Sequence, residues 1–247
     1  MGRTKTGLLA LVALAALTQP AQAWPGESIW RAITGLFRGG PDEVSQREAQ
    51  RALRTLSTEA VIRAKARLSA PDGFSGDPEL RVTLPETSRG LRGVAGLPGR
   101  PDPIDEVCEA INLASSAAAP TIASRLAEDA ASFDFGDPLA VLKSEGGAAA
   151  KMLAARHGPD VAAAFEGSID AALSASPDWA KVEAALQRAG PVRAPSASRR
   201  ELVRSTAAQA ADHFFLAVAR EEKALRANPE PLPGDAREVL RRAATGR

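Results

Sequence analysis

An all-α fold is what this sequence predicts, on three observations. Alanine, the strongest helix former, is used throughout the chain. The β-branched and aromatic residues that strands favour are scarce, with no tyrosine and aromatics at only 4%. Apolar side chains recur every three or four positions between clear start and stop signals, which is the period of a helix with one buried face. Together they predict a multi-helix bundle with close, small-residue interfaces and one short extended segment near residues 80–84.

The N-terminus carries an export signal. Arg3 and Lys5 give a positive start, Leu8 to Leu17 is an unbroken apolar run, and Thr18-Gln19-Pro20 breaks it before Ala21-Gln22-Ala23. That order predicts a cleavable signal peptide over residues 1–23, cut after Ala23, and hence a periplasmic protein. The run is too short to span a bilayer, so no transmembrane anchor is expected after cleavage. Residues 24–40 read as an amphipathic leader, with Ile29, Trp30, Ile33, Leu36 and Phe37 on one face and Gly39-Gly40 closing it. It can pack on the domain body or make peripheral contact with a membrane surface. Residues 41–244 read as a single helical domain.

Within that domain the first helix is predicted from Pro41 to Ser69. Pro41 suits a first turn, Asp42 and Glu43 complement the helix dipole, and Leu53, Leu56, Ala60, Ala64 and Leu68 line one side. Arg47, Arg51 and Arg54 line another, read as a solvated face. Pro71-Asp72-Gly73 stops the helix. From Leu80 to Leu84 three apolar residues alternate with Arg81 and Thr83; no second strand is at hand to pair with, so the segment is expected to lie extended across helices. Residues 86–103 are rich in glycine and proline, with a short helix predicted over 88–97.

Asp102 and Pro103 start a helix with Ile104, Val107, Cys108, Ile111, Ala114 and Ala118 inward. Pro120 is expected to kink or break it, a second helix running on to Ala131. Asp137-Pro138 opens a helix through Leu142, Gly146-Gly147 interrupts, and Ala148 to Arg156 forms the next. Gly158-Pro159 is expected to open a separate helix, with Val161, Phe165, Ile169 and Leu173 at four-residue intervals. Ser176-Pro177 opens another, with Trp179, Val182 and Leu186 inward. Residues 190–197 read as a linker. Ser198 and Glu201 have capping-box spacing before a helix to Ala227, with Leu202, Ala210, Phe214, Val218 and Leu225 as core candidates. Asn228-Pro229 ends it, and Asp235 to Ala243 is a last short helix.

Charge and chemistry are sparse. The chain has 31 basic and 30 acidic side chains; Arg3 and Lys5 leave with the signal peptide, so the remaining 224 residues carry a formal net charge of −1. That balance argues against nucleic acid as a partner. Cys108, the only cysteine, has no intramolecular disulfide partner and reads as a small apolar helix residue. His157 and His213 lie far apart and in no ligand spacing. His157, just before Gly158-Pro159, reads as a helix C-terminal residue, and His213, beside Phe214-Phe215, as a helix-face residue. Gly73-Phe74-Ser75-Gly76 lacks the second glycine of a nucleophile elbow and reads as a turn. Glu222 and Arg226 have the i,i+4 spacing of a helix pair. Arg81 is expected to clamp the extended segment to an acidic residue of a helix near Glu221-Glu222. No catalytic, cofactor-binding or metal-binding residue is assigned, and no cofactor is expected.

Three blocks give the chain a resemblance. Residues 72–85 (DGFSGDPELRVTLP), 109–114 (EAINLA, running on to Pro120) and 215–229 (FLAVAREEKALRANP) follow one another in order. The chain resembles a bacterial exported family catalogued as domain of unknown function 4197, over about residues 42–240. It departs in its leader at 24–40, in having no aromatic near Met152, and in lacking a proline near Phe165. The resemblance implies an exported, mainly helical protein of Gram-negative bacteria and carries no catalytic residue across. The leading expectation is a non-catalytic interaction or scaffold protein of the cell envelope with a protein partner. The alternative is a carrier of an apolar, lipid-like ligand held between helices. An enzyme of converging carboxylates ranks third; two acids and a histidine meeting in one cleft would favour it.

Overall fold

The computed structural model describes residues 43–85, 102–184 and 199–245. The signal peptide expected over 1–23, the leader expected over 24–40, the helix expected over 88–97, Leu186, the linker expected over 190–197 and Ser198 lie outside the described residues. Those described are helical in seven stretches, with no strand among them: α1 (Gln46–Leu68), α2 (Pro103–Ser132), α3 (Pro138–Lys143), α4 (Ala148–Ala175), α5 (177–184), α6 (Arg199–Ala227) and α7 (Gly234–Thr245).

Local signals set most boundaries. α1 begins later than the expected Pro41, because Ser45 and Glu48 form a capping box: Ser45 Oγ accepts from the Glu48 N–H, and the Glu48 carboxylate accepts from the Ser45 N–H at 2.9 Å. Two expected breaks are absent. α2 runs 30 residues straight through Pro120, and α4 runs 28 residues through Gly158-Pro159. A proline inside a helix costs about 3 kcal/mol. Each helix buries large side chains on both sides of its proline: Ile111, Ile122 and Leu126 in α2, and Leu153, Val161 and Phe165 in α4. Each of these contributes about 1.5–3 kcal/mol on burial, so continuity outweighs the lost hydrogen bond.

Four long helices make the body. α1 packs on α2, α2 on α4, α4 on α6 and α6 on α1, while the diagonal pairs scarcely meet. This is a four-helix bundle, with α3 and α7 laid against α1. The apolar stripes meet in its middle, where every core candidate named on α1 and α6 is buried. Phe165 of α4 lies edge-on to Phe214 of α6 at 6.2 Å and to Phe74 at 5.9 Å. Phe74 belongs to the turn after α1, so the chain that follows α1 folds back into the bundle. Cys108 is half-buried and packs against the core, less enclosed than expected. No helix among the described residues is long and apolar enough to cross a membrane.

Candidate functional site

Three polar assemblies and one cleft hold the side chains with chemistry to offer. The first is the strap, residues 80–85. Leu80, Val82 and Leu84 are fully buried, as their alternation requires. With no neighbouring strand among the described residues, helix side chains supply main-chain hydrogen bonds to the strap beyond those its first two N–H groups make to the Asp77 carbonyl. Asn112 of α2 accepts from the Val82 N–H and donates to the Val82 carbonyl, both at 2.9 Å, as a strand neighbour would. Gln209 of α6 accepts from the Thr83 N–H. His213 Nδ1 lies 2.7 Å from the Leu80 carbonyl, so it is the ring nitrogen carrying the proton there. The strap therefore joins α2 and α6, the diagonal helices that scarcely touch.

The turn before the strap is held by charge, but with the polarity opposite to expectation. Arg81 does not reach Glu221 or Glu222; its guanidinium donates to the Ser75 carbonyl. The clamp comes from α6 instead, where Arg220 pairs with Asp77 at 2.7 Å and with Glu79. Asp77 also accepts from Arg67 of α1. Asp77 suits the turn because its short side chain also accepts from the Glu79 N–H of the turn's backbone.

The second assembly is a buried ion pair that caps two helices. Glu222 is 1% exposed and receives Arg226 at 2.9 Å, the i,i+4 pair expected. Its carboxylate also accepts from the N–H groups of Ala149 and Ala150, at the start of α4. Gly147 at that N-cap has no side chain to offer, and its φ of +99° favours glycine. Arg226 in turn donates to the carbonyls of Val141 and Leu142 at the end of α3. One pair thus neutralises a positive helix end and a negative one. The third assembly is similar: Arg54 of α1, expected in a solvated row, donates to the Ser132 and Phe133 carbonyls at the end of α2.

The cleft runs along the seam between α2 and α4. Ile122, Leu126 and Val161 form its floor, and Arg125, Asp129, His157 and Asp160 its rim. His157 is not a helix-terminal residue, because α4 continues past it; its Nδ1 lies 3.5 Å from Asp129, and its ring contacts Phe133. Two acids and a histidine do therefore meet in one cleft, the arrangement that would favour an enzyme.

The sequence model of the family described as "Protein of unknown function (DUF4197)" matches residues 43–240. The chain belongs to this family. No curated protein and no solved structure matches it. The three blocks that carry the family resemblance converge in space. The first supplies the turn and strap, the second supplies Asn112, which bonds the strap, and the third supplies Arg220, which pairs with the turn, while its Glu222 and Arg226 hold the helix ends. Sequence reasoning named these stretches but missed Asn112, Gln209 and Asp77 as partners. A polar residue between apolar neighbours in Ile111-Asn112-Leu113 is the one signal that could have flagged Asn112.

Proposed function

We propose that this protein is a non-catalytic interaction protein of the bacterial cell envelope, exported to the periplasm by cleavage after Ala23. The observation that carries this reading is the use to which the polar residues are put. Asn112, Gln209 and His213 hold a strap, Asp77 and Arg220 hold a turn, and Glu222 with Arg226 closes two helix ends. A reactive centre needs groups left free to act on a substrate, whereas these are engaged with main chain or with one another. In the cleft, the His157–Asp129 pair has no hydroxyl or thiol bonded to the imidazole among the described residues, so the second half of a nucleophile–base arrangement is not assembled. The test is affinity capture of the tagged chain from periplasmic extract, with and without cross-linking. One recurrent envelope partner is the expected result; repeated recovery of none, under cross-linking as well, would count against the proposal.

The carrier reading moves to a different place. The space between the helices is filled by Phe74, Phe165 and Phe214, each buried. What supports ligand binding is the apolar floor of the α2–α4 cleft. Native mass spectrometry of the protein after gentle extraction separates the two readings, since a carrier retains ligand mass and a scaffold does not.

A further inference from the structure

We propose that the α2–α4 cleft is a binding site for a small zwitterion, a molecule with a primary ammonium and an anionic oxygen group on neighbouring atoms beside a short apolar body. The charges come first. Arg125 on α2 and Asp160 on α4 rim the same cleft from facing helices, and among the described residues neither has a hydrogen-bond or ion-pair partner. Two other sets of facing opposite charges in the bundle are paired, Arg242 with Glu48 and Arg199 with Asp170. Arg125 offers a planar fork to an anionic oxygen, and Asp160 accepts from an ammonium. Ile122, Leu126 and Val161 line the same cleft and offer a floor to apolar atoms. The His157–Asp129 pair is part of the same rim, with the Phe133 ring against His157.

The backbone gives an independent observation. Each proline inside the long helices directly precedes a residue that lines this cleft, Pro120 before Thr121 and Pro159 before Asp160. Each removes an i→i−4 hydrogen bond, so both helices give up stability at the same place. Such local disagreement between sequence and fold gathers at functional sites. Length sets the size of the guest. Thr121 to Asp129 spans about 12 Å of helix at 1.5 Å per residue, room for one amino acid or one phospholipid headgroup.

This goes beyond the interaction role, which stands or falls on capture of a partner. The experiment titrates the full chain, purified as the cell makes it, with L-leucine by calorimetry. Leucinamide, which lacks the anion, and N-acetylleucine, which lacks the ammonium, are run beside it. In a parallel arm the protein is sedimented with phosphatidylethanolamine vesicles and with phosphatidylcholine vesicles, whose quaternary ammonium has no N–H to give Asp160. We expect L-leucine, phosphatidylethanolamine vesicles or both to bind, with each singly charged analogue weaker by about tenfold or more, the scale of one charge-assisted hydrogen bond. Binding of leucine alone makes the guest a free amino acid, and binding of phosphatidylethanolamine alone makes it a lipid headgroup; both support the site. Arg125→Gln and Asp160→Asn, two exposed positions whose folding is checked by circular dichroism, should each weaken the bound guest by about tenfold. No binding in either arm, or variants that leave the affinity within about twofold, would overturn the proposal.

Discussion

Asn112 shows how one side chain can stand in for a strand. Its amide carries a donor and an acceptor a fixed distance apart, and both meet the main chain of Val82. Asn112 is 2% exposed and Val82 is 1% exposed, so water cannot replace either bond. Asn112→Ala should therefore cost about 2–4 kcal/mol in urea unfolding, the penalty for two buried main-chain groups left unpaired. Asn112→Asp keeps the acceptor but sets a buried carboxylate oxygen against the carbonyls of Val82 and Cys108 in place of Nδ2, and should cost at least as much as Ala. The buried pair makes a sharper case. Glu222→Gln leaves Arg226 charged, 11% exposed and stripped of its counter-charge, and breaking such a pair costs about 3–5 kcal/mol. Arg226 would keep its bonds to the α3 carbonyls, so the loss should sit at the lower end. If Glu222→Gln melts with the wild type, the double cap is not a determinant of stability. Few of these partners were legible in the sequence beyond the i,i+4 spacing of Glu222 and Arg226, because, Asn112 to Cys108 apart, the bonds join residues 30 to 85 positions apart.

At the scale of elements, stripes and caps were legible where they are local. The apolar stripes of α1 and α6, the Asp102-Pro103 start of α2 and the Ala227 end of α6 all follow from neighbours within one or two turns. The prolines were misread because their effect is decided by burial on either side, which a local window does not contain. Pro159 is exposed and mid-helix, so Pro159→Ala should restore a hydrogen bond without disturbing the core. It should raise stability by about 1–3 kcal/mol, read as a higher Tm. An unchanged or lower Tm would mean that α4 needs its proline for packing. The N-cap of α1, and with it the contact from Arg242 of α7, should respond to acid. The Ser45 hydroxyl, then Arg242 and the Ser45 N–H, lower the Glu48 carboxyl from 4.5 to about 2. A folded value below the unfolded one stabilises the protein at pH above about 4.5, and that contribution is lost as pH falls from there toward 2. Urea midpoints should drop across this window, and Glu48→Gln should flatten the drop. High salt should shrink the effect, since Glu48 is 32% exposed.

On the scale of the whole molecule, the all-α bundle and its one extended segment were legible from composition and period, whereas the way the segment enters the bundle was not. Alternation said that Leu80, Val82 and Leu84 must be buried, and only the tertiary structure says where: between α2 and α6, on helix side chains. The aromatic contacts extend that link to α4, because Phe74 of the turn meets Phe165, and Phe165 meets Phe214 of α6. Phe165 is thus the residue through which the turn, α4 and α6 share one core, and it is fully buried. Phe165→Ala should cost about 3–5 kcal/mol, the range for emptying a buried phenylalanine site. Its effect should also couple to that of Phe74→Ala and of Phe214→Ala, by about 0.5–1.5 kcal/mol for each edge-on pair in a double-mutant cycle. If the bundle folds as one unit, far-ultraviolet circular dichroism and near-ultraviolet signals from its aromatic residues should lose structure at the same urea concentration in the wild type. Separate midpoints, or additive losses in the two cycles, would show that the turn and strap are an appendage to the helices rather than part of the core they share.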